Sequence, residues 1–148
     1  MKKIILPIIA LLIALSAFSQ SKKDRIKALK VSFITERLEL TQEEAQKFWP
    51  VYNAYDDITG KIKYEDLRNI RREIKNNIAT LTDKRASELL EEIASAENKL
   101  HEEEVKLNVK LKKIISPKKI LLLKIAEEDF KKKLFDQWKK MKHDGKKP

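Results

Sequence analysis

The sequence predicts an all-α fold, and three observations carry that prediction. Glycine occurs only at Gly60 and Gly145 in 148 residues, and no stretch alternates apolar and polar residues over the length of a strand. Charged residues make up 38% of the chain, a composition that suits long solvated helices. Three times an apolar residue is followed by a hydroxyl residue and then by a helical pattern: Leu40-Thr41, Leu81-Thr82 and Ile115-Ser116.

Each hydroxyl suits an N-cap, because its oxygen accepts a bond from a backbone N–H that the first helical turn leaves unpaired. The apolar residue before it can staple the helix entry by packing five residues ahead, Leu40 on Ala45, Leu81 on Ala86 and Ile115 on Ile120. Thr41 is followed at the third helical position by Glu44, which completes a capping box. Ser116 is followed by Pro117, placed where a missing N–H costs nothing.

These marks divide the chain into four helices. The first runs from about Lys22 to Leu38, with Ile26, Leu29, Phe33 or Val31, and Leu38 as its apolar stripe. The second follows Thr41 and shows Phe48, Tyr52, Tyr55, Ile58 and Ile62, then Leu67, Ile70, Ile74 and Ile78. Pro50 falls inside it, and because proline cannot donate to the carbonyl of Gln46, a bend is expected near residues 46 to 50. The third, after Thr82, repeats Leu89, Leu90, Ile93, Leu100, Leu107, Leu111 and Ile114 at near-heptad, coiled-coil-like spacing. At roughly 50 Å it implies an elongated hairpin. The fourth, after Ser116, carries Ile120, Leu123, Phe130, Leu134, Trp138 and Met141.

The amino terminus reads as a cleavable secretory signal over residues 1–19. Met1-Lys2-Lys3 is positive, Ile4 to Phe18 is an almost unbroken apolar run, and Ala17-Phe18-Ser19 is a small-x-small site before Gln20. The run is shorter than the roughly 20 residues of a spanning helix. Residues 20–142 then form one helical domain, and residues 143–148 a basic disordered tail. With no cysteine, such an exported protein is held by packing alone and has no lipidated amino terminus.

Slender helices cannot enclose their own apolar stripes, so a homodimer is expected, with a monomeric three- or four-helix bundle as the alternative. Charge is uneven. From Asp83 to Glu104 eight acids face Lys84, Arg85 and Lys99, whereas Lys106 to Pro148 carries fifteen lysines against five acids. Such a basic face attracts unfolded acidic chains or an anionic membrane surface. Nucleic acid is not expected as a partner of an exported protein.

No enzyme chemistry or cofactor is expected. There is no cysteine nucleophile and no Gly-rich phosphate loop, and neither His101 nor His143 sits in a recognised pairing with Ser and Asp. His101 shares a helical face with Glu97 and Glu104, but a lone imidazole falls short of the ligand density of a zinc site, so no metal is expected. The aromatic group Phe48, Trp49, Tyr52 and Tyr55 reads first as a core cluster around Pro50 and second as a client or partner surface.

The run from Leu40 to Tyr52, Leu-Thr-Gln-Glu-Glu-Ala-Gln-Lys-Phe-Trp-Pro-Val-Tyr, resembles the Spy/CpxP-like exported helical proteins known by a Leu-Thr-x-x-Gln motif. Leu81-Thr82-Asp83 and Ile115-Ser116-Pro117-Lys118-Lys119 extend the resemblance, which is nearest to a Bacteroidetes branch often labelled sensors of ECF-type sigma factors. Where the motif has Gln, this chain has Glu44 and, in the second copy, Arg85. The resemblance implies a periplasmic, cradle-shaped homodimer of the envelope stress response that binds unfolded proteins without ATP. The alternative it implies is a dedicated sensor of one membrane-embedded signalling partner. A heavy-metal sensor is a further alternative, weakened by two histidines and no cysteine.

Overall fold

The computed structural model describes residues 22–143 and Gly145, and the expected signal at residues 1–19 lies outside them. The described residues are helical, with no strand among them. Helix α1 is Lys22–Arg37, α2 is Gln42–Lys61, α3 is Leu67–Asn77, α4 is Asp83–Leu111 and α5 is Pro117–His143. A π-helical turn, Ile62–Asp66, joins α2 to α3, so the expected second helix is one rod in two α segments. The described residues fall into two compact units, one of α1 with α5 from Leu123 onward, the other Leu40–Leu122.

In the unit Leu40–Leu122, α2 and α3 each pack on α4. Its core gathers Ile62, Leu67, Ile70, Leu89 and Ala96, with Ile74, Leu81, Ile93 and Leu100 packed against them. Along α4 the inward residues Leu89, Ile93, Ala96, Leu100 and Leu107 follow a heptad seam. Glu103 stands at the next seam position and pairs with Lys106 at 2.7 Å, so the seam is polar there. Leu90, expected on this stripe, faces solvent because it lies one residue, about 100°, away from Leu89.

The π turn explains a spacing that an α-helix cannot. Ile62 and Leu67 are five residues apart, which on an α-helix points them in different directions, yet both belong to the core. The Leu67 N–H donates to the Ile62 carbonyl, an i+5 bond that absorbs one extra residue and keeps both side chains inward. Helix α2 continues through Pro50, where the bend is expected, and the π turn at Ile62–Asp66 is a second irregularity that the sequence reading did not include. Pro50 and Gln46 are both exposed, so water can serve the carbonyl that loses its donor.

In the other unit Ile34 on α1 and Leu38 just past its end are buried, and α5 contributes Leu123, Ala126 and Phe130. The stripe expected from Ile26 and Leu29 is corrected. Both are exposed, and the inward register runs Val31, Ile34, Leu38 instead. The Phe33 ring meets Phe130 at 5.6 Å, Lys133 Nζ lies 5.2 Å from the Phe33 centroid, and Arg37 donates to Asp129 at 2.9 Å. Helix α1 ends without glycine: Glu39 takes a left-handed φ of 48° while its N–H donates to the Glu36 carbonyl. Helix α5 ends with one, Gly145 at φ 64°, two residues past His143.

Candidate functional site: charged caps and exposed aromatic faces

All three hydroxyl caps form. Thr41 Oγ1 accepts from the Glu44 N–H at 3.2 Å while Glu44 Oε2 accepts from the Thr41 N–H at 3.0 Å, a complete capping box. Thr82 Oγ1 accepts from the Arg85 N–H at 3.2 Å, and Ser116 Oγ from the Lys119 N–H at 3.3 Å. Leu81 packs on the core and Ile115 is buried, as residues before a cap should be. Pro117 opens α5.

The residue whose N–H each cap binds also carries the long-range charge contacts. Lys119 Nζ donates to Glu44 at 2.7 Å, so the first and third caps are tied together across 75 residues. At the second cap, the Arg85 guanidinium grips Glu73 with two bonds of 2.8 and 3.0 Å and also reaches Glu88 and Glu92. Donation from Lys119 and from the Thr41 backbone holds the Glu44 carboxyl below its ordinary value, and donation from Arg85 does the same for Glu73. The three carboxylates raise Arg85 further, so each of these groups is held as an ion. Sequence reasoning identified the caps but not these partners. The signal was the opposite charge of Glu44 and Lys119 at equivalent cap positions.

The aromatic group sorts by burial. Phe48 and Tyr52 are 0% and 1% exposed and stack at 5.4 Å, while Trp49 meets them edge-on at 5.0 and 5.6 Å. Tyr55 lies 6.1 Å from Tyr52. Phe48 and Tyr52 are core, in line with the first reading, and are closed to a client or partner, whereas Trp49 and Tyr55 are half-buried. The cause is the four-residue spacing of Phe48 and Tyr52, which repeats on the inward face of α2.

Each unit has an open groove. Between α3 and α4, about 740 Å³ is lined by Asp66, Ile70, Glu73, Glu88, Glu92 and Lys99 among others. Between α1 and α5, about 580 Å³ is lined by Phe33, Arg37, Asp129, Lys132, Lys133 and Lys140 among others. His101 is exposed on α4, and among the described residues no three His, Cys, Asp or Glu side chains group as a metal site.

The carboxyl-terminal turns of α5 depart from their expected core role. Phe135 is 52% exposed, and Trp138 and Met141 are each 41% exposed. The Phe135 and Trp138 rings stack at 6.1 Å, Lys139 Nζ sits 4.6 Å from the Phe135 centroid and Lys142 Nζ 4.3 Å from that of Trp138. No described helix is long and apolar enough to cross a membrane. What these faces offer chemically is attachment, through apolar area beside fixed charge, and no family model, curated protein or solved structure matches the chain.

Proposed function

We propose that this protein is a binding protein of the exported envelope, holding unfolded polypeptide segments without ATP, as its resemblance to the Spy/CpxP-like proteins implies. The observation that carries the reading is the pattern on α5: Leu121 and Ile125 are 64% and 52% exposed, with Lys118 one helical turn before Leu121 and Lys124 next to Ile125. Scattered apolar contacts give weak, distributed grip, and lysines draw an acidic chain in quickly. A homodimer belongs to the same proposal, since a second copy would cover part of these faces; sedimentation at micromolar concentration tests it.

In the test, the protein is added at near-equal molar ratio to two unrelated proteins made to aggregate. Suppression of both, weakening as salt rises, is the expected result. No suppression of either rejects the proposal. The acidic groove between α3 and α4 favours a second reading, a dedicated sensor of one basic partner, because a shaped, charged cleft selects more narrowly than an open helix face. Co-purification of one membrane-embedded regulator, without aggregation suppression, distinguishes that reading.

A further inference from the structure

We infer that the last turns of α5, Phe130 to His143, form a docking face for an anionic lipid surface. The apolar stripe of this segment changes character along its length. Phe130 is buried, Leu134 half-buried, and Trp138 and Met141 open to solvent, although all four share one side of the helix. Phe135 adds a second exposed ring at the edge of that stripe. The same segment holds Lys131, Lys132, Lys133, Lys139, Lys140 and Lys142 against the single acid Asp136. An amphipathic helix with aromatic residues on one side and lysines around them lies in the headgroup region of a bilayer, rings toward the acyl chains and amines toward phosphate.

Three observations favour lipid over a protein. Lys139 Nζ and Lys142 Nζ lie 4.6 and 4.3 Å from the centroids of Phe135 and Trp138, so each exposed ring has a flexible cation beside it that can reach outward to phosphate as the ring enters the acyl boundary. Every Lys or Arg after Arg85 is lysine, whereas docking on protein carboxylates favours the two-pronged guanidinium. Neither groove described above is lined by Phe135, Trp138 or Met141, so the face is not part of a cleft that would enclose a peptide. The attraction expected from clustered lysines at a negative leaflet is sequence-independent and additive.

The inference stands apart from client binding, because vesicle partitioning needs no client and either property can fail without the other. The full chain, as recovered from the cell, is mixed with vesicles of phosphatidylcholine alone or of phosphatidylcholine and phosphatidylglycerol at two to one. Tryptophan emission should move to shorter wavelength and become shielded from acrylamide on the mixed vesicles only, and Trp138→Phe, which leaves Trp49, should abolish the change. Neutralising Lys139 and Lys142 together to Gln should weaken partitioning roughly thirtyfold. An apolar leader, where retained, would bind both vesicle types and cannot mimic a Trp138 signal that demands anionic lipid. The inference is overturned by no shift, by an equal shift on phosphatidylcholine alone, or by unchanged partitioning of the double variant at equal helix content. It is also overturned if polyglutamate shields Trp138 as fully as the mixed vesicles, which would assign the face to acidic protein.

Discussion

Thr41, Glu44 and Lys119 form a three-residue relay in which one carboxylate serves a helix end and a distant lysine at once. Removing the Thr41 oxygen orphans the Glu44 N–H, so Thr41→Ala should cost about 1 kcal/mol of unfolding free energy in urea titration. Thr82→Ala should cost about the same, since each change removes one side-chain cap bond of 3.2 Å and the Thr41 N–H keeps its bond to Glu44. Acid tests the same residues. Glu44 and Glu73 have folded values lowered from 4.5, so their contribution is complete above that value and lost as pH falls through the lowered one. Stability should therefore drop as pH goes below about 4.5, and Glu44→Gln should flatten that drop while lowering stability at neutral pH. Parallel acid profiles for the two proteins would show that the pair contributes nothing.

At the scale of elements, the π turn makes a prediction that no plain helix would. Deleting Tyr64, an exposed residue of Ile62–Asp66, shortens the five-residue gap between Ile62 and Leu67 to four, which an α-helix accommodates on one face. Helix content by circular dichroism and the midpoint of thermal unfolding should change little. Deleting Ala54 from the regular part of α2 should instead rotate one end of the inward face by about 100° and lower the midpoint sharply. Helix starts were legible because a cap is written in a few adjacent residues. The π turn left only an odd spacing, Ile62 to Leu67, which becomes meaningful once both residues are seen to share a core.

For the whole molecule, no disulfide is available, since the chain has no cysteine, and apolar packing must offset the entropy of ordering. Truncating a buried residue therefore removes a large share of a small total. Leu111→Ala should cost about 2–5 kcal/mol in urea titration, whereas Leu90→Ala should stay within about 0.5 kcal/mol. Both leucines sit on the same helix and both fit its apolar repeat by eye. Which of them is buried depends on what packs against α4.

The chain by itself determined its helical class and the places where α2, α4 and α5 begin, because hydroxyl caps, Pro117 and scarce glycine act on neighbouring backbone. Tertiary structure alone decided that Leu89 goes inside while Leu90 and Trp138 stay out, and that Glu44 and Arg85, departures from the motif in sequence, become ion-pair anchors. Burial and charge pairing join residues far apart in the chain, and a helical pattern marks which residues share a face without naming what that face will meet.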